Sequence, residues 1–351
     1  MNHKIKLHMP VKLNKLPFLL TIFCLFMAFG LQAQQYLADL EPIHYYQRGM
    51  DLLDKQKYSA ARDAFEQYLD TDEDGERSVE AEYYIAYAAL RLYNADGEAR
   101  LAEFVEEHSS HPKAIRANYE LGNFYFKDEN YDKAITYFEK TDTRNLTPKE
   151  QSTRNFKLAY AYFTEQNFYE AKPYFDQVKT SESSFTSAAS YYSGYIAYQQ
   201  SDFDAALKDL QRAEQEPAYA EVVPYLIANI YYKQGRYDRL QTYAQGILDS
   251  GSQRVKNLPD IMLLAGEAYF MQGDFAQAEP FLSEYASLRR PEAPMLYRLA
   301  FTQYKTGKEQ AAIDNFKQIA SRQDSIGQFS SYYLGLLYVK NDNETFAASA
   351  L

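Results

Sequence analysis

A chain of 351 residues with 48 acidic against 37 basic side chains carries a net charge of −11. That is the wrong sign for a surface that must neutralise nucleic-acid phosphates or adhere to anionic lipid. One cysteine and no tryptophan stand beside 34 tyrosines and 22 phenylalanines, which excludes a disulfide framework and leaves Tyr and Phe to carry the aromatic packing.

Residues 1–33 differ in kind from the rest. Lys4, Lys6, Lys12 and Lys15 form a basic start, Leu16 to Leu31 an apolar run, and Leu31-Gln32-Ala33 a small-residue cleavage end. This pattern predicts a secretory signal peptide and, from it, a periplasmic or secreted protein. The alternative is an uncleaved anchor, but the apolar run falls short of the roughly 20 residues a bilayer-spanning helix needs. Cys24 follows Phe23 rather than a small residue, so it does not form a lipidation site. Cleavage after Ala33 leaves a chain without cysteine and, with four lysines gone, more acidic still. Residues 34–43 read as a short lead-in, with Pro42 near its end.

From residue 44 onward one pattern recurs. In the stretch from Asn118 to Lys140, Leu121, Gly122 and Tyr125 precede a turn at Asp128 to Asn130, and Tyr131, Ala134 and Phe138 follow it. Gly122 and Ala134 are small where two antiparallel helices must approach closely, and the larger residues fill the space beside the crossing. Taking the small residue of each first helix as a marker gives Gly49, Ala88, Gly122, Ala159, Gly194, Ala228, Gly266, Ala300 and Gly335. In the second helices Ala61 pairs with Phe65, Ala171 with Phe175, Ala206 with Leu210, Ala278 with Leu282, Ala312 with Phe316 and Ala347 with Leu351. Aromatic residues three before the small position recur as Tyr58, Tyr131, Phe168, Phe203, Tyr237 and Phe275.

This spacing resembles the tetratricopeptide repeat (TPR) family, whose period is about 34 residues. The resemblance implies an all-α, right-handed superhelical solenoid of antiparallel helix hairpins over residues 44–351, with eight full repeats and one truncated. A hairpin cannot bury its apolar face alone, and copies on either side do it. Some repeats depart from the pattern. The second has Arg100 before Phe104, the sixth has Leu240 and Ala244, and no repeat carries the usual Trp. Pro173 and Pro280 sit in identical register inside second helices and predict a bend in each. Turns are expected at Asn130, Asn167, Gly235, Gly273 and Gly307, with caps at Asn167 and Asp274 and a capping box opening at Thr147-Pro148. Leu351 falls at a packing position with no capping element after it, so the stack is expected to continue beyond it.

Few constellations carry chemistry. Asp70, Asp72 and Asp74 before Gly75 match the first half of a calcium loop, but Ala81 stands where the bidentate acid belongs. A solvated acidic loop is the competing reading. His108 and His111 are three apart near a helix end and lack a third ligand. No Gly-rich phosphate loop, nucleophile elbow or zinc-protease motif is present, so neither an enzyme nor a cofactor is expected.

The aromatic positions carry the functional expectation. In the family, residues three before, one after and four after the marker line the concave groove. Here they are Tyr119, Asn123 and Phe126; Tyr191, Tyr195 and Tyr198; Tyr225, Asn229 and Tyr232; and Tyr297, Phe301 and Tyr304. Tyr46, Phe156, Tyr160, Phe163, Phe270 and Tyr332 extend the stripe. Rigid amphipathic rings suit recognition of an extended protein segment. Any one of them could equally pack between repeats. The family's clamp for C-terminal carboxylates needs Lys where Tyr119 and Tyr225 stand, which argues against that use. The resemblance thus implies a non-enzymatic scaffold for protein or peptide partners in a bacterial cell envelope, with no nucleic acid, no membrane insertion after cleavage and no small-molecule substrate. The rivals are a carbohydrate- or peptidoglycan-binding module and a docking arm for an activity beyond Leu351.

Overall fold

A computed structural model describes residues 42–71, 77–251 and 255–350. The predicted signal peptide, nearly all of the lead-in, Asp72, Asp74 and Leu351 lie outside the described residues. Among the described residues the structure is helical, with no strand, and the helices come in pairs. The first unit, which ends at Thr147, holds α1 (Pro42–Asp54) with α2 (Tyr58–Thr71), α3 (Ser78–Arg91) with α4 (Gly97–Glu107), and α5 (Pro112–Lys127) with α6 (Tyr131–Glu139). The second unit, from Pro148, opens with α7 (Pro148–Thr164) and α8 (Phe168–Lys179), then α9 (Thr186–Gln199) and α10 (Phe203–Ala213). There follow α11 (Val223–Lys233) and α12 (Tyr237–Asp249), then α13 (Leu258–Gln272) and α14 (Phe275–Leu288). It closes with α15 (Ala293–Lys305) and α16 (Glu309–Ile319), then α17 (Ser325–Lys340) and α18 (Glu344–Ala350). The fold class is a helical solenoid of hairpins.

The small markers do the steric work expected of them. A methyl group added at Gly49 would lie 2.6 Å from the ring of Phe65, and one at Gly122 would lie 2.7 Å from Cε1 of Phe138. At Gly194 and Gly266 the obstruction is Leu210 (2.9 Å) and Leu282 (2.8 Å). In these four hairpins the first helix therefore touches its own second helix through a bare backbone and one large side chain, and Ala61, Ala134, Ala206 and Ala278 beside it are fully buried. The sixth hairpin exchanges the sizes: Leu240 takes the small position and Ala244 the large one, and both are buried. Total volume at the crossing is kept, which is what cores tolerate best.

Every hairpin turns through one residue in the left-handed region: Gln56, Tyr93, Glu129, Gln166, Ser201, Gly235, Gly273, Gly307 and Asp342. The amide after it reaches back across the turn, as in Asn130 N–H to Tyr125 O (2.9 Å), beside Glu129 N–H to Phe126 O (3.2 Å). These two bonds form a Schellman closure that satisfies the last helical carbonyls. In the third and fourth hairpins the left-handed residue is Glu129 and Gln166, one before the asparagines expected to make the turn. Asn130 instead caps α6, its Oδ1 accepting the Lys133 amide (3.2 Å), and Asp202 and Asp274 cap α10 and α14 likewise. Asn167 makes no side-chain cap; its carbonyl accepts the first intrahelical bond, from Ala171 N–H.

The turns also correct the register of the second hairpin. In the other eight the left-handed residue lies seven after the marker; counting back seven from Tyr93 gives Ala86, not Ala88. Tyr84 agrees, since it stacks on Phe65 (5.1 Å) from two positions before Ala86, as Tyr192 stacks on Phe175 (5.2 Å) from two before Gly194. Two additional residues in the turn before α4 hide the shift. There the close backbone approach falls on Gly97, whose missing methyl would lie 2.7 Å from the Ala89 carbonyl. Pro173 and Pro280 lie inside α8 and α14, which run through them as helix.

Candidate functional site

In the first unit, α5 carries Tyr119, Asn123 and Phe126. Tyr119 is 7% exposed, with its ring 6.4 Å from Phe138 and the Arg116 guanidinium 5.0 Å from its centroid, so it offers almost nothing to a partner. Asn123 Nδ2 donates to the Tyr119 carbonyl one turn back (2.8 Å), and Phe126 meets Tyr131 edge-on at 5.7 Å.

In the second unit the predicted residues are half-buried, except Tyr332, which is exposed, and they are linked from one first helix to the next. Tyr195 on α9 meets Phe163 on α7 edge-on at 5.7 Å, and Tyr191 stacks on Tyr219 at 4.9 Å. Tyr198 OH donates to Asn229 Oδ1 on α11 (2.9 Å). Tyr232 OH donates to Glu267 Oε2 on α13 (2.8 Å), and Arg298 on α15 pairs with the other oxygen of that carboxylate. Tyr225 packs on the core formed around Ala228 and Leu240. Phe270 meets Phe301 at 5.9 Å, while Tyr297 and Tyr304 flank Phe301 at 6.2 and 6.3 Å. Tyr333 on α17 closes the row against Phe301 and Tyr304, at 5.2 and 5.3 Å. The result is one ladder of half-exposed rings with a polar centre at Asn229, Glu267 and Arg298.

The phenols of Tyr191, Tyr198 and Tyr232 stay protonated. Burial, then Tyr195, pushes Tyr191 above the usual phenol value. Burial, then Tyr225 and Tyr195, does so for Tyr198. Burial and then the Glu267 hydrogen bond push Tyr232 up to about 12. At neutral pH these hydroxyls are neutral donors and acceptors.

Glu267, Arg298, Tyr192, Tyr219 and Tyr333 escaped the sequence reading. Glu267 sits one after its marker Gly266, in the register of Tyr195, Asn229 and Phe301, so the repeat spacing alone names it. Tyr192 and Tyr333 lie two before their markers and stack on Phe175 and Phe316, at 5.2 and 5.8 Å. Their shared offset was visible; their role as the floor beneath the ladder was not.

Asp70 is exposed at the end of α2, and the remaining acids of the calcium reading lie outside the described residues. His108 and His111 do not converge. His108 Nε2 lies 2.9 Å from Glu82 Oε2, whereas His111 Nδ1 accepts the Lys113 amide (3.1 Å) and caps α5. Among the described residues no group of three His, Cys, Asp or Glu side chains is placed to hold a metal, and no helix is long and apolar enough to cross a membrane.

The sequence matches a tetratricopeptide repeat family model over residues 46–102, 156–221 and 225–294, and two related tetratricopeptide repeat models over 115–144 and 295–324. No curated protein matches it. Among solved structures, a tetratricopeptide repeat protein from Parabacteroides merdae is similar at 13% identity, covering 84% of this chain and 98% of that one, with a TM-score of 0.38. The C-terminal part of a TPR repeat-containing protein from Cytophaga hutchinsonii is similar at 16% identity over 66% of this chain and 92% of that one, TM-score 0.45. PilF from Pseudomonas aeruginosa is similar at 14% identity over 61% and 95%, TM-score 0.39. With its family models spread over most of its length and the hairpins in the spacing they describe, the chain belongs to the tetratricopeptide repeat family.

Proposed function

We propose that this chain is an exported, non-enzymatic scaffold of the cell envelope that receives an extended protein segment along the ladder of first helices in the second unit. One observation carries the reading. From Tyr191 to Tyr304 the ladder rings are held by neighbouring side chains and stay half-exposed. Preorganised Tyr and Phe provide contact area at small entropic cost, and Asn229, Glu267 and Arg298 provide polar anchoring between them. Export rests on the basic and apolar run of residues 4–31 and the cleavage end at Ala33.

The test is crosslinking capture from cell envelopes, comparing the wild type with Tyr195→Ala/Tyr304→Ala, alongside mass measurement of the mature N-terminus. A specific protein captured by the wild type and lost by the folded double variant supports the ladder as the binding face. Equal capture by both refutes it, and saturable quenching of tyrosine fluorescence by soluble glycans would assign the rings to sugar stacking instead. A mature chain that retains residues 1–33 would overturn export by cleavage.

A further inference from the structure

Away from the ladder, α10 and α12 border a cleft of about 560 Å3. From α10 come Asp204, Leu207, Lys208 and Gln211, which the helical period places on one face. Tyr231 on α11, Arg236 in the turn and Arg239 on α12 complete the lining. The floor is fixed: Leu207 is buried, and the half-buried Tyr231 hydroxyl accepts from Gln211 Nε2 (3.1 Å).

The walls have the opposite charge to the rest of the protein. Three cations face one carboxylate, and that carboxylate is taken, because Arg236 Nη2 and Gln234 Nε2 both reach Asp204 Oδ1 (3.1 and 3.4 Å). Among the described residues, Lys208 and Arg239 have no carboxylate within ion-pair range. In a chain with net charge −11, two cations lining one cleft without an ion-pair partner are a local reversal of sign.

We propose that this cleft is a second docking site, which takes a carboxylate-rich segment of a protein partner. Aspartate or glutamate side chains pair with Lys208 and the planar fork of Arg239, and an apolar side chain between them rests on Leu207 and Tyr231. Arginine forks and carboxylates match in geometry. Most of the lining comes from the second helices α10 and α12, and none of the lining residues belongs to the ladder.

The test uses the full chain and a short fluorescein-labelled peptide of glutamates around one leucine, followed by fluorescence anisotropy. The expected result is saturable binding that weakens as salt rises and falls about tenfold or more in Lys208→Glu/Arg239→Glu. The same affinity should persist in Tyr195→Ala/Tyr304→Ala, which separates this site from the ladder. Lys208 and Arg239 are exposed, so the charge reversal removes no core packing. Absence of saturable binding, equal binding by the charge-reversed variant, or equal binding of a glutamine version of the peptide would overturn the proposal. Displacement of the peptide by inorganic phosphate at matched concentration would also overturn it, in favour of a small-anion site.

Discussion

At Gln56, Tyr93, Glu129, Gln166, Ser201 and Asp342 a side chain occupies the left-handed backbone, at φ between 55° and 61°, that Gly235, Gly273 and Gly307 adopt freely. A Cβ in that conformation crowds the following carbonyl at a cost of roughly 1–2 kcal/mol. Gln166→Gly should therefore stabilise the protein by about 1 kcal/mol, net of the greater flexibility of glycine in the unfolded chain, and Gly273→Ala should destabilise it by a similar amount. Thermal denaturation checks both, and a lower melting temperature for Gln166→Gly would contradict the turn geometry. A second pair tests close approach. Gly122→Ala pushes a methyl onto the Phe138 ring and should cost ~1–3 kcal/mol, whereas Gly246→Ala, in α12 with nothing within 4 Å, should gain up to ~1 kcal/mol. The Gly122–Phe138 pairing was legible because a small and a large residue recur at fixed separation. The left-handed turns at Gln166 and Glu129 were not, since only Gly and Asn advertise that conformation and the asparagines stand one residue later.

Between elements, charges that the sequence presents as a solvated face become clips. Lys179 on α8 reaches Asp209 Oδ2 on α10 and Asp176 Oδ1, each at 2.6 Å, and the single Ser193 hydroxyl on α9 lies within donating distance of both acids (2.8 Å to Asp176 and 3.0 Å to Asp209). The Arg212 guanidinium adds a bond to the Lys179 carbonyl (2.7 Å). The Asp209 side chain is only 7% exposed, so Lys179→Met leaves an unpaired acid in the packing and should cost about 3 kcal/mol in chemical denaturation. Burial raises Asp176, but Lys172, Lys179 and Ser193 together hold it below the usual 3.8; burial lowers Lys179, but the two acids together hold it above the usual 10.5. A depressed acid contributes stability above its unfolded value and loses it as pH falls through the lower folded value. A raised base contributes below its unfolded value and loses it as pH rises through the higher folded one. The clip is thus intact across the neutral range and weakens at both extremes. Asp176→Asn should flatten the stability loss measured below about pH 4, and an unchanged acid limb would remove Asp176 from the clip. Lys179 and Asp209 lie thirty residues apart in sequence, and only stacking of the fourth and fifth hairpins brings them together.

For the molecule as a whole, each unit is a stack in which a hairpin packs mainly on its neighbours. Phe316 lies fully buried under Tyr297 and Tyr333, at 6.0 and 5.8 Å. Phe316→Ala should cost ~3–5 kcal/mol. Its signature in hydrogen exchange should be faster opening of α15 to α18, fading along the second unit. An equal increase across both units would show that the stack unfolds as one body and would sink the nearest-neighbour account.

By itself the sequence determined the family, the helical pairing and the partners at most crossings, because those determinants recur inside a single hairpin. Gly122 and Phe138, sixteen residues apart, obey the same local sterics as Gly49 and Phe65. Tertiary structure alone decided the register of the second hairpin, where two additional turn residues moved the marker to Ala86. It alone decided that Tyr119 is walled in while Tyr195 stays half-exposed, and that Lys208 and Arg239 share a cleft whose one carboxylate, Asp204, is engaged by Arg236. These outcomes depend on how one hairpin is rotated against the next, and that rotation is set by side chains about thirty residues apart, beyond the reach of any local spacing.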